Sequence, residues 1–475
     1  MAESWVNSAE RIGADLYVEL SGPGGRRAAL IRALRDAVRG GRLAPGTRLP
    51  PYRSLAADLG MARNTVADAY AELVAEGWLT ARQGSGTRVA TPLDQWGNSA
   101  PRGAAARVPK KAPAPPRGPR HDLRQGTPDA SSFPRSAWLA SYRRALQQAP
   151  TEAFGPGDPA GRRELREALA EYLTRTRGVR ADPERIVICS GFAHALRLLF
   201  PRVLRGPLAV ESYCLGFHRE LLAAASVRTV PLALDEDGAQ VGELDRERAV
   251  LLTPAHQFPT GGPLHPARRA AVVDWARARG GLVLEDDYDG EFRYDRRPVG
   301  ALQGLDPERV VHIGSVSKSL SPALRLGWMV LPQRYVDAVL AAKGEREAWA
   351  STLDQLTLAD FVASGSYDRH VRRMRQRYRT RRDLLVAALA ERAPHIEVTG
   401  IAAGLHAVLR LPPGTERSAV KAATWQGVAL DGLAEFRHPR ATMSVPDGLV
   451  VGYATPSEHA YGAALEALCE ALPPG

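Results

Sequence analysis

Residues 280–294 read GGLVLEDDYDGEFRY, and the fold turns on how that run changes character halfway. Leu282, Val283 and Leu284 make a short apolar strand, and Glu285, Asp286, Asp287 and Tyr288 follow at once. Acids and a phenol at a strand's carboxyl end stand where open α/β sheets place their ligands. Alone, the acids read equally well as a solvated turn or a metal-binding cluster.

Similar runs recur on both sides: RIVIC at 185–189, LAVE at 208–211, RAVLLT at 248–253 and RVVHIG at 309–314. Helical stretches separate them, which predicts an α/β domain with a mostly parallel sheet from residue 122 onward. From about residue 380 a basic helix, YRTRRDLLVAALAER, leads through AGLHAVLRL into a smaller α+β part. No internal repeat is visible.

Lysine occurs only at 110, 111, 318, 343 and 421, and one of the five lies in GSVSKSLSPALRLGW, directly after a strand. A Schiff-base lysine needs an amine that can lose its proton, which a partly desolvated pocket supplies and an arginine cannot. Arg325 follows seven residues later and can bind a phosphate dianion, with Ser315 and Ser317 adding hydroxyls. The rival reading is a surface lysine in a serine-rich loop. RIVICSGFAHALRLL supplies a strand, a Ser190-Gly191 turn and a helix from Phe192, whose first N–H groups favour a phosphate. An acid such as Asp286 facing a pyridine nitrogen would keep it protonated, and the Tyr288 hydroxyl could bond a ring phenolate.

The amino-terminal part has a different plan. Residues 16–89 read as three helical patterns and a hairpin, with RSLAADLG and RNTVADAYAELVAEG at helix-turn-helix spacing. Arg63, Asn64 and Thr65 open the third helix, where a recognition helix meets base edges, and Val66, Ala69, Tyr70 and Leu73 form its apolar face. A plain three-helix bundle is the alternative; the hairpin tip Gln83-Gly84-Ser85-Gly86, between Arg82 and Arg88, favours a wing that approaches phosphates. Residues 91–121 are rich in proline, alanine and arginine and read as a linker. The first 120 residues hold 18 basic and 10 acidic side chains, most of the net +11 of the 475-residue chain. A basic head suits a polyanion. Cysteines at 189, 214 and 469 show no paired spacing for a metal, which fits free thiols in a reducing cytoplasm. No signal peptide and no apolar run of membrane length are visible, so the expectation is a cytoplasmic protein without a membrane segment.

Residues 14–90 resemble the GntR-type winged helix. By that resemblance Arg53, Arg63, Asn64 and Thr65, with Gln83 and Gly84 in the wing, occupy DNA-contacting positions, while Ala62 stands where the family commonly has a capping Ser or Thr. Residues 122–475 resemble the fold-type I pyridoxal-phosphate-dependent aminotransferases, through the three chemical elements above and through FPRSAW, FGPGDPAGRRELREAL, TPAHQFPTGG and AAGLH. The fusion is the signature of the MocR family of regulators.

The resemblance implies pyridoxal 5'-phosphate as cofactor, Lys318 as its Schiff-base lysine, Asp286 and Tyr288 as ring partners, and Ser190, Gly191, Phe192, Ser315 and Arg325 as the phosphate cup. His256 and Gln257 belong beside the ring, and no metal is implied. The chain departs from the enzymes at four positions: Phe258 replaces an Asn, Pro156 a Tyr, Leu215 the ring-stacking aromatic (with Tyr213 or Phe217 as substitutes), and Val450 the Arg that grips a substrate carboxylate. Arg410 could supply that cation instead.

The expectation is therefore a homodimeric regulator that binds double-stranded promoter DNA and senses the cofactor, or an amine or amino acid reacting with it, in a body used for sensing rather than turnover. The alternatives are a DNA-binding protein that is also a working aminotransferase, and a cofactor-free dimerisation scaffold.

Overall fold

The computed structural model describes residues 25–82, 86–90, 119–294, 299–344, 350–443 and 446–475. The chain divides into two compact units, residues 1–112 and 113–475.

In the first unit the first described helix spans Gly25–Arg39 and buries Ala29, Leu30, Ile31, Leu34 and Ala37. It stops at Gly40-Gly41, where Gly41 takes a positive φ of 73° that side chains disfavour. Helices Tyr52–Asp58 and Arg63–Ala75 follow, and Val66, Ala69, Tyr70 and Leu73 are buried as their spacing predicts. Strands Leu79–Arg82 and Gly86–Val89 pair antiparallel, with Leu79 opposite Val89. Arg35, one of the arginines on the wet side of the first helix, reaches Glu76 of the third at 2.6 Å, and Arg27 pairs with Glu72.

The second unit is built on a seven-stranded sheet in the order Ile186–Cys189, Gly327–Val330, Val310–Ser315, Leu282–Asp286, Ala249–Leu252, Leu208–Glu211, Thr229–Leu232. Only Gly327–Val330 runs against the rest. Five of these strands, including IVIC, LAVE and LVLED, are buried along their whole length, because helices cover both faces. That double cover is why they read as continuous apolar runs rather than alternating ones. Phe192–Leu199 packs on one face with Val187, Leu284 and Ile313, and Pro266–Arg279 packs on the other with Val250, Val283 and Val310.

A smaller antiparallel sheet orders Glu397–Thr399, His406–Arg410, Gly448–Gly452 and Asp431–Gly432. Its helical cover begins earlier than the sequence expectation of residue 378. The long helix spans Ser366–Arg392, since neither glycine nor proline interrupts it between left-handed Gly365 and Pro394. Near the start of this unit, His121–Asp122 pairs in parallel with Val428–Ala429 in a two-stranded sheet of its own. Among the described residues no helix is long and apolar enough to cross a membrane.

Candidate functional site

The central strands Val310–Ser315 and Leu282–Asp286 end, with Leu208–Glu211, at a cavity of about 260 Å³. Seven of the eight residues expected to hold the cofactor line it: Lys318, Asp286, Tyr288, Gly191, Phe192, Ser315 and Arg325. Ser190 stands behind the wall, its N–H donating to His194 Nδ1 at 3.1 Å.

The acidic run is sorted by the pleat of its strand, which sends successive side chains to opposite faces. Glu285 accepts the N–H groups of Leu302 and Gln303 at 2.6 and 3.0 Å. Asp287 takes the Arg177 guanidinium through two bonds of 2.7 Å. Asp286, between them, faces the cavity. Asp289 lies past the strand end, 2.7 Å from His256 Nδ1, which is also 3.0 Å from the Tyr288 hydroxyl. Among the described residues no group of three or more His, Cys, Asp or Glu could hold a metal ion. The partners Arg177 and His256 are 110 and 33 residues away from the acids they meet, a pairing that local spacing cannot signal.

Burial raises the Asp286 carboxyl well above its ordinary range; Asp287 adds to this and Lys318 opposes it. The same burial lowers the Lys318 ammonium, against the pull of Asp286 and Asp289. Lys318 Nζ donates to the carbonyl of Gly126. Two imidazoles complete the wall. His218 is pushed down to about 4 by burial and by Lys318, and His406 to about 3 by burial and by His256, so both are neutral near pH 7. Neither was anticipated as a wall residue.

At the other end, Gly191 caps helix Phe192–Leu199 with φ +105°, a conformation that L side chains rarely adopt. The N–H groups of His194 and Ala195 bond back to Gly191, whereas those of Phe192 and Ala193 find no acceptor among the described residues and belong to cavity-lining positions. Arg325 takes a left-handed φ of 52°, and its guanidinium comes within 3.7 Å of where a Gly191 Cβ would stand. Gly327, which sequence reasoning passed over, fits the same corner: a Cβ there would be 2.8 Å from Gly191 Cα.

Leu215 lines the cavity, as does Phe258. Tyr213 is buried outside its wall, and Phe217 is 56 % exposed, so neither replaces a stacking aromatic. His256 and Gln257 are buried behind Tyr288 and Glu211, with Gln257 Nε2 3.3 Å from the Glu211 carboxylate. Val450 is buried in the small sheet opposite Val408. Arg410 is exposed and pairs with Glu397 at 2.8 Å, which removes it as a carboxylate anchor. Among the described residues, the cationic side chains on the wall are Lys318 and Arg325.

In the amino-terminal unit Arg53, Arg63 and Asn64 are exposed and Thr65 is half-buried. Arg63 is the first residue of its helix, behind Ala62, which offers no side-chain cap. Gln83 and Gly84 lie outside the described residues.

Residues 27–89 match the family described as bacterial regulatory proteins, gntR family, and residues 123–461 match aminotransferase class I and II. The chain is 34% identical over 445 residues to the probable rhizopine catabolism regulatory protein MocR of Rhizobium meliloti, covering 90% of this chain and 89% of that protein. It is 33% identical to the HTH-type pyridoxine biosynthesis transcriptional regulator PdxR of Corynebacterium glutamicum, covering 80% and 82%. Among solved structures, the multiple substrate aminotransferase of Thermococcus profundus superposes with a TM-score of 0.67 at 23% identity, over 74% of this chain and 90% of that one. At that identity the likeness speaks for the fold alone. A gntR-type head and an aminotransferase body in one chain, matched along most of their length by regulators of the same construction, place this protein in the MocR family of DNA-binding transcriptional regulators.

Proposed function

We propose that the cavity binds pyridoxal 5'-phosphate and that its occupation, or reaction with an amine or amino acid, changes how the head engages promoter DNA. One observation carries the reading: a lysine of lowered proton affinity, a buried acid and an arginine beside an uncapped helix start share one small cavity. When bound, the cofactor supplies an aldehyde for amines and an electron-withdrawing ring.

Lys318 offers the amine, and burial brings its unprotonated, nucleophilic form within reach. Asp286 meets the ring nitrogen, where a positive charge would offset the cost of ionising a buried carboxyl. The free N–H groups of Phe192 and Ala193, the Ser315 hydroxyl and the Arg325 fork suit a phosphate. Tyr288, held at His256, can donate to a phenolate oxygen. In the head, Arg63, Asn64 and Thr65 read base edges and phosphates, with Arg53, Gln83 and Gly84 adding contacts. The working form is a homodimer that brings two heads to one promoter. The ligand acts as a switch by binding two arrangements of the protein unequally.

The test is incubation with pyridoxal phosphate, borohydride reduction and peptide mapping. A visible absorbance band and an adduct on Lys318, both lost in Lys318→Ala, are expected. An adduct on Lys343 or Lys421, or none, would refute the assignment. Promoter affinity that is identical with and without the cofactor, and with every amine tried, would refute the sensing role.

A further inference from the structure

Between residues 369 and 382 the long helix Ser366–Arg392 reads RHVRRMRQRYRTRR: eight arginines and no acid. Two of them serve the body and a third has an acid one turn away. Arg381 is buried, with its guanidinium on the carbonyls of Tyr453 and Ala454 at 3.1 Å. Arg377 reaches Asp129 and Glu458, each at 2.8 Å, and Arg379 lies 4.0 Å from Asp383. The other five, Arg369, Arg372, Arg373, Arg375 and Arg382, form no ion pair among the described residues, and the nearby Asp368 is taken by Arg175 at 2.8 Å.

At 100° per residue, Arg369, Arg372, Arg373 and Arg379 share a face opposite the buried Tyr367, Val371, Met374 and Tyr378. All four are exposed, and at 1.5 Å per residue they span roughly 15 Å. A cleft of about 410 Å³ opens beside them, between Arg373 and Arg377 on this helix and Ser131, Ser136 and Arg135 on the other wall. Arg135 also lacks an acidic partner among the described residues. Solvated helix faces ordinarily intersperse charges of both signs, which relieves the repulsion between neighbours. Here the acid on that face is Asp383, beside Arg379, which leaves Arg369, Arg372 and Arg373 without an acidic partner among the described residues and the face open to a polyanion.

We propose that the arginine face of Ser366–Arg392 and its adjoining cleft bind the phosphate backbone of duplex DNA, giving the body a contact of its own beside the head's. A duplex presents one charge per roughly 1.7 Å of axis, dense enough to serve every arginine on the face. The guanidinium fork matches phosphate oxygens in pairs. Such a contact carries no sequence information; it adds affinity and salt dependence to the site that the head selects.

The experiment titrates the full-length protein with a promoter fragment over a salt series, for the wild type, the triple variant R369Q/R372Q/R373Q, and a control, R202Q/R334Q/R417Q, that removes the same charge from exposed arginines elsewhere. The helix variant is expected to flatten the slope of log affinity against log salt by about 2 to 3 and to weaken binding about tenfold or more at low salt, while the control changes little. Equal slopes for the two triples overturn the proposal. So does a helix variant that loses only inorganic phosphate binding in calorimetry and keeps its DNA slope, since the cleft would then be a small-anion site. Arg63→Ala run in parallel separates the two contacts: it should lose discrimination between promoter and unrelated DNA while its slope moves by about one or less. A silent Arg63→Ala would defeat the reading of the head and leave this one standing.

Discussion

The guanidinium of Arg177 meets both carboxylate oxygens of Asp287 at 2.7 Å, and through that bond it settles which of two adjacent acids serves the cavity. With Asp287 pinned on one face of the strand, Asp286 is turned to the other, beside Lys318. The pair is buried on both sides, with side chains 6 % and 5 % exposed.

Removing one partner should therefore be expensive. Arg177→Ala leaves an unpaired buried carboxylate and is expected to lose about 3 to 5 kcal/mol of stability in denaturant titrations. The cofactor band should weaken too, since the neighbouring Asp286 loses its fixed direction. A loss below about 1 kcal/mol would show that the pair is not a structural support.

Acid should act on the same pair. Burial alone would raise the Asp287 carboxyl, but Arg177 and His312 outweigh it and hold the group below its ordinary range. A depressed carboxyl contributes stability that is present above its unfolded value, about 3.9, and is lost as pH falls through the folded value. Melting curves below about pH 4 should fall steeply for the wild type and less steeply for Asp287→Asn.

Tyr288 is open to a spectroscopic test. Its hydroxyl is kept protonated by burial, with Asp289 and Asp286 adding to the effect. Tyr288→Phe removes a donor from the ring's phenolate oxygen, so the pH at which the cofactor's visible band titrates should rise. A hydrogen bond to a charged group is worth about 1.5 to 3 kcal/mol, which corresponds to a rise of about 1 to 2 pH units. An unmoved titration would take Tyr288 off the ring.

Ala62 precedes the recognition helix in extended conformation, φ −65° and ψ 140°, with no side-chain oxygen to cap the first N–H donors. Ala62→Ser should cap them and add about 1 kcal/mol. Amide exchange in the first turn of Arg63–Ala75 should slow by about fivefold. No change there would mean that the end is already satisfied by water.

Turnover of ordinary α-amino acids should be slow. Val450 is buried in a sheet and Arg410 is spent on Glu397, so a desolvated α-carboxylate would find no cation there, at a cost of several kcal/mol. Keto-acid release at about 1 per second or faster, the ordinary range of enzymes, would contradict this.

Much of this architecture is visible in the residues. Strands such as IVIC, LAVE and LVLED declare themselves because burial on both faces demands uninterrupted apolar runs. Lys318 stands out through its rarity and its position after a strand. The supporting contacts do not show, because they join distant segments: Arg177 to Asp287, Asp289 to His256, Gly327 to Gly191. Boundaries slipped where arginines crowd a helix: in the turns of Ser366–Arg392 that precede residue 378, the buried stripe Tyr367, Val371 and Met374 is sparse among basic side chains. The neutral His218 and His406 were hidden because a lone histidine carries no pattern until burial is known.

The bond between Lys318 and the Gly126 carbonyl joins chemistry to mechanics. Gly126 lies five residues after His121, where the chain is hydrogen-bonded to the edge residue Gly427, and the intervening Arg124 carbonyl takes the Thr455 hydroxyl at 3.0 Å. These few residues are the last length of chain before the stretch that leads back to the head. Under the proposed covalent role, Lys318 gives up hydrogens that now hold the Gly126 carbonyl, and the segment anchored at His121 and Arg124 loses one of its tethers. The amine proposed for the chemistry is thus also a fastener of the backbone near the start of the second unit.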